Sequence, residues 1–172
     1  MTDPAQLDAK GKQAFENKKF EDAAEYFRQA AEGYSLGRAG LLSAEMRNNM
    51  SVALLQAGKP KEALEAALET DLVFAGANDL KRQAMALGNQ AAALEGLNLY
   101  TEAIEKYERS AELFGQAKEG DLRAMVMKSA AALKLKTGKI TDSAFKMMGS
   151  IDVKDNPTLF ERIMKFLLRF II

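Results

Sequence analysis

Small residues recur along this chain at a fixed interval of 40. Ala23, Ala63, Ala103 and Ser143 form one column, Gly11, Ser51, Ala91 and Ala131 a second, and Ala30, Thr70, Ser110 and Ser150 a third. A period of this size signals one supersecondary unit copied along the chain, each copy burying its apolar face against the next. A small side chain at a helix crossing lets two backbones approach and their ridges interdigitate. The columns therefore mark where helices pass close to one another.

Further columns give each unit its internal order. Lys18, Gly58, Asn98 and Gly138 coincide, and Gly and Asn are residues that end helices in the left-handed conformation. Two residues on come Phe20, Pro60, Tyr100 and Ile140, and then the acidic column Asp22, Glu62, Glu102 and Asp142. Negative charge in a first helical turn complements the helix dipole. Each unit thus reads as helix A, a tight turn and helix B. Ala, Leu, Glu and Lys dominate, prolines are confined to Pro4, Pro60 and Pro157, and no alternating β-branched run appears. The expected class is all-α. Helices are expected at about 4–17, 21–35, 40–57, 61–75, 80–97, 101–117, 121–137 and 141–149, with Pro4 at a first helical position behind Asp3. Four units (about 4–37, 38–78, 79–119 and 120–150) precede a polar linker at 151–156 and an amphipathic helix at 157–172.

The pattern resembles the tetratricopeptide repeat. "GKQAFENKKFEDAAEYFRQA" (11–30) and "AAALEGLNLYTEAIEKYERS" (91–110) carry that family's three small positions and the ring before the second. "SVALLQAGKPKEALEAALET" (51–70) has Pro60 in place of the ring, and "AALKLKTGKITDSAFKMMGS" (131–150) is degenerate, as terminal repeats are. The usual period is 34; units of 40 resemble those of spindle-orientation scaffolds and approach those of kinesin light chains. The resemblance implies an α-solenoid with a C-terminal capping helix. It also implies a protein-protein interaction module whose concave groove, lined by the A helices, binds a peptide or helical segment.

Carried over by position, the groove would present Asp8, Lys12 and Phe15; Glu45, Asn48, Asn49 and Val52; Met85, Asn89 and Ala92; and Met125, Lys128, Ser129 and Ala132. The candidate partner-binding set is Lys12, Asn48, Asn49, Met85, Asn89 and Lys128. Asn49 and Asn89 share a column in which the family often holds a peptide main chain, and an amide both donates and accepts. The plainer alternative is that these asparagines are exposed helix residues bonded locally. Asn49 fits the family's carboxylate clamp, but Met85 and Asn89 stand where its third-unit Lys and Arg belong. Asp8 and Lys12 occupy the first unit's Lys and Asn positions, so a clamp for chaperone tails is disfavoured. The methionines (Met46, Met50, Met85, Met125, Met127, Met147 and Met148) read either as irregular core filling or as an adaptable surface.

Composition narrows the chemistry. The 24 basic and 24 acidic residues cancel, so no net field favours nucleic acid. There is no His and no Cys, hence no common general base near neutrality and no thiolate nucleophile or metal site. No catalytic constellation or phosphate-binding loop is found; the expectation is a non-enzyme without cofactor or metal. Neither a signal peptide nor a spanning helix is read, and the absence of Cys suits the cytoplasm.

The segment "NPTLFERIMKFLLRFII" carries a polar stripe of Glu161, Lys165 and Arg169. The face formed by Phe160, Ile163, Met164, Leu167 and Phe170 is too apolar to stay in water. It reads as a cap on the fourth unit. The alternatives are self-association, which would make the protein a structural homo-oligomer, and in-plane membrane attachment of a peripheral adaptor, the less favoured of the two.

Overall fold

The computed structural model describes residues 3–138. The chain divides into a unit spanning Met1–Ala130 and a second spanning Ala131–Ile172. The described part of the second unit is the end of the last described helix with Thr137 and Gly138. The expected helices at 141–149 and 157–172, with the apolar face from Phe160 to Phe170, lie outside the described residues.

The described residues are helical, without strands: α1 (Pro4–Glu16), α2 (Phe20–Leu36), α3 (Gly40–Gln56), α4 (Pro60–Ala67), α5 (Thr70–Gly76), α6 (Leu80–Gly96), α7 (Tyr100–Gln116) and α8 (Gly120–Lys136). From α2 onward helices begin every 20 residues, at 20, 40, 60, 80, 100 and 120, with α5 the exception. Sequence neighbours pack as pairs, α1 with α2, α2 with α3, α3 with α4 and α6 with α7; α6 also meets α3, α4 and α5. No described helix is long and apolar enough to cross a membrane.

One turn geometry accounts for the even spacing. Lys18, Arg38, Gly58, Asn78, Asn98, Lys118 and Gly138 all have positive φ, between 55° and 73°. At the first six, the amide after the left-handed residue bonds a carbonyl five residues back: Lys19 to Ala14, Ala39 to Tyr34, Lys59 to Leu54, Asp79 to Phe74, Leu99 to Leu94 and Glu119 to Phe114, at 2.9–3.0 Å. The left-handed residue itself bonds the carbonyl three back, as Lys18 does to Phe15 at 2.9 Å. This is the Schellman closure, which satisfies carbonyls that the helix end leaves bare. Every acceptor of the longer bond is an alanine, leucine or aromatic residue. The column 18, 58, 98, 138 is thus a C-cap, as its composition suggests. The intervening Arg38, Asn78 and Lys118 adopt the same conformation although Arg and Lys carry no signal for it.

In the first three copies the small columns are buried as the packing argument requires, whereas Ala131 of the fourth is exposed and Ser143 and Ser150 lie outside the described residues. Ala23, Ala63, Ala103, Ser51, Ala91, Ala30, Thr70 and Ser110 are fully enclosed. Ser110 Oγ donates to the Ala84 carbonyl at 2.7 Å. Phe27 and Tyr107 are buried beside these crossings, and the Phe15 and Phe20 rings meet edge to face at 5.3 Å. One apolar cluster joins Leu7, Phe27, Met46, Leu54, Ala63 and Ala93. Asp3 caps α1, its Oδ1 accepting from the Ala5 amide at 3.1 Å behind Pro4 at the helix start.

The expected single helix over 61–75 is corrected: it is interrupted at Leu68 and Glu69, where Glu69 takes φ 63°. In an unbroken helix the carbonyls of Ala66, Ala67 and Leu68 would bond amides four residues on. Here side chains take them. Arg47 donates from Nε to the Ala66 carbonyl (3.1 Å) and from Nη2 to that of Leu68 (2.8 Å). Gln90 Nε2 donates to the Ala67 carbonyl (3.0 Å) and to Asp71 Oδ1 (2.7 Å). Thr70 Oγ1 lies 2.8 Å from the Ala67 carbonyl oxygen and 2.9 Å from Asn48 Oδ1, and its single hydrogen serves one at a time.

Candidate functional site

Nine of the fourteen A-helix residues carried over by position line two clefts within the first unit; Asp8, Glu45, Asn48, Lys128 and Ala132 line neither. The first lies between α1 and α3, is floored by Phe27 of α2, and has a volume of about 230 Å³. Lys12, Phe15, Asn49 and Val52 line it, with Glu16. The second lies between α6 and α8, has a volume of about 260 Å³, and is lined by Met85, Asn89, Ala92, Met125 and Ser129. Its floor is made by Tyr107 and Phe114 of α7. Asn49 and Asn89, 40 residues apart, hold equivalent places in the two, each half-buried at a cleft wall.

Their chemistry differs. In the first cleft Lys12 Nζ donates to Asp8 Oδ2 at 2.7 Å, and that bond, with Asp8's charge, raises the lysine's pKa. The second cleft is lined by no charged side chain among the described residues. Met85 and Met125 are exposed at its mouth, and Leu122 and Val126 complete its apolar wall. Tyr107 donates its phenolic hydrogen to Glu95 Oε2 at 3.0 Å. Burial, then the neighbouring Glu95 charge, pushes the phenol's pKa well up, and a bond with Ser129 opposes this weakly.

Two candidates are placed differently. Asn48 is not in the groove: it is buried, 7% exposed, against Thr70. Successive helical residues point about 100° apart, so Asn49 faces the cleft while Asn48 faces the interrupted helix. Lys128 is exposed on α8, one residue before the cleft-lining Ser129. Glu45 is engaged with Arg82 of α6 at 3.2 Å, and Arg82 also pairs with Asp79 and lies over the Phe74 ring. Ala132 falls in the second unit.

Sequence reasoning placed the walls and missed the floors. Phe27 and Tyr107 share one B-helix column and Phe114 stands in another with Tyr34 and Phe74, and both columns by themselves read as core. It also missed Arg47, although a signal was present: its column is Leu7, Arg47, Leu87 and Met127, and Leu7 and Leu87 are buried. A recess of about 530 Å³ between α2, α3 and α4 is lined by Arg47 with Arg28, Glu32, Glu62 and Glu65. Arg28 there is engaged with Glu25 and Glu32. Among the described residues no group of three or more acidic, His or Cys side chains is gathered to hold a metal.

No family model matches the chain, and no curated protein matches it significantly.

Proposed function

We propose that the protein is a non-catalytic interaction module of the tetratricopeptide type, binding a peptide or helical segment along a groove that joins the two clefts. One observation carries the reading: Asn49 and Asn89 stand in equivalent positions on two cleft walls, with apolar floors beneath them. An amide at each site pairs with a peptide group whatever its side chain. Lys12 and Lys128 flank the path. The apolar cleft beside Met85 and Met125 accepts a bulky aliphatic or aromatic side chain, for which flexible methionines adapt. Want of His and Cys argues against chemistry at either cleft, and want of Cys suits a cytoplasmic setting.

The test is affinity capture from the native host with the full chain and with an Asn49→Ala, Asn89→Ala double variant. The expected result is loss of the captured partner by the variant at unchanged thermal stability. Equal recovery by both proteins sinks the groove assignment.

A further inference from the structure

We infer that the interruption at Leu68–Glu69 is a switch imposed from outside by α3 and α6, whose release joins α4 to α5 and displaces Asn49 relative to Asn89. The functional weight of that displacement rests on the proposed groove; the switch itself does not.

Nothing in the segment's own residues requires a break. From Lys61 to Ala75 it contains neither Pro nor Gly, and Leu68 and Glu69 are both good helix formers. Glu69 nevertheless holds φ 63°, a region unfavourable for any residue with a Cβ. The equivalent helices α2 and α7 run through 17 residues each without interruption.

The difference lies in what faces the segment. Arg47 of α3 stands where the A helices α1 and α6 carry Leu7 and Leu87. A guanidinium has five donors and no acceptor, and Arg47 aims two of them at carbonyl oxygens of this segment. In an unbroken helix the oxygens of Ala66, Ala67 and Leu68 would already be bonded to the amides of Thr70, Asp71 and Leu72, leaving only their second lone pairs for Arg47 and Gln90. In the break the Leu72 amide bonds Glu69 O at 3.1 Å, and Arg47 and Gln90 take the freed oxygens.

The unbroken form fits the same core. Ala63, Ala67, Thr70 and Phe74 are buried in the broken helix, as Ala103, Tyr107, Ser110 and Phe114 are in α7. Joining the two halves therefore keeps one buried face. The clasp also adjoins the groove directly. Asn48 precedes Asn49 and Gln90 follows Asn89, so in each pair one side chain holds the break and its neighbour lines a cleft.

The test is solution NMR on the full chain and on an Arg47→Leu, Gln90→Met double variant, residues taken from the equivalent positions Leu7, Leu87 and Met50. In the variant the Glu69 carbon shifts should move to right-handed helical values. Amide exchange at Thr70, Asp71 and Leu72 should slow by about tenfold or more. The side-chain amide resonances of Asn49 and Asn89 should shift. A Glu69 that stays left-handed in the folded variant overturns the imposed break. A joined helix with unmoved asparagine resonances overturns the coupling. If the double variant does not fold, Arg47→Leu alone is read in the same way, with slower exchange at Leu72 expected and unchanged exchange overturning the inference. No partner is needed, so this outcome is independent of the capture experiment.

Discussion

The Phe27 ring lies so close to Gly11 that a Cβ on the glycine would come within 2.7 Å of Phe27 Cε1. The ring is itself buried and has little room to retreat. Gly11→Ala should therefore destabilise by about 1–2 kcal/mol, overpacking outweighing the gain in helix propensity of about 1 kcal/mol. Gly40, at the start of α3, has nothing within 4 Å of the point where a Cβ would stand. Gly40→Ala should stabilise by about 0.5 kcal/mol. Urea midpoints of the two variants should move in opposite directions.

The shared turn geometry makes a second test. Arg38 and Lys118 hold left-handed φ of 58° and 60° with exposed side chains. Replacing either by Gly relieves the Cβ penalty and should raise stability by about 0.5–1 kcal/mol. Gly58→Ala, at φ 73°, should lower it by about 1 kcal/mol. A stabilising Gly58→Ala would contradict the closure described for that turn.

The adjacent asparagines should separate cleanly. Asn48→Ala removes the amide beside a fully buried Thr70 and should cost about 1–2 kcal/mol. Asn49→Ala alters a cleft wall and should change stability by no more than about 0.5 kcal/mol. Thermal melts of the two single variants distinguish them, and the reverse order would exchange their roles.

Tyr107 predicts an alkaline limit. Its phenol has a folded-state pKa raised above the ordinary value of 10.0, so the folded protein keeps the proton that the unfolded chain gives up. That contribution is fully present below about pH 10 and is lost as pH rises from there toward the folded pKa. Melting temperature should fall across this window in the natural protein. In Tyr107→Phe the fall should be shallower, from a starting point lowered by about 1 kcal/mol through loss of the Glu95 bond. Parallel profiles would mean that the phenol is not protected.

Much of the fold was legible because the repeat puts the same physical demand at the same place. Ala23, Ala63 and Ala103 are small for one reason, and a reason stated three times can be read. The turn at Arg38 has Gly37 and Gly40 near it but an arginine at its left-handed position, and its conformation is set by the closing main-chain bonds. The break at Glu69 was illegible locally. Its cause is a guanidinium 22 residues earlier and an amide 21 residues later, and propensity within 61–75 argues for a continuous helix. Asn49 and Asn89 were readable as a column, whereas Asn48 required the orientation of α3.

The even spacing of the turns has a bearing on how such a chain can change in length. Junctions that share one length and one conformation make 40-residue segments interchangeable. A duplication or deletion cut at any of them preserves the alternation of A and B helices. A 20-residue change would place an A helix where a B helix must pack. Length variants that fold should therefore differ by whole units. The passage between the second and third units is the exception, because Arg47 and Gln90 are fitted to each other's surroundings across it, and a copy inserted there would part them.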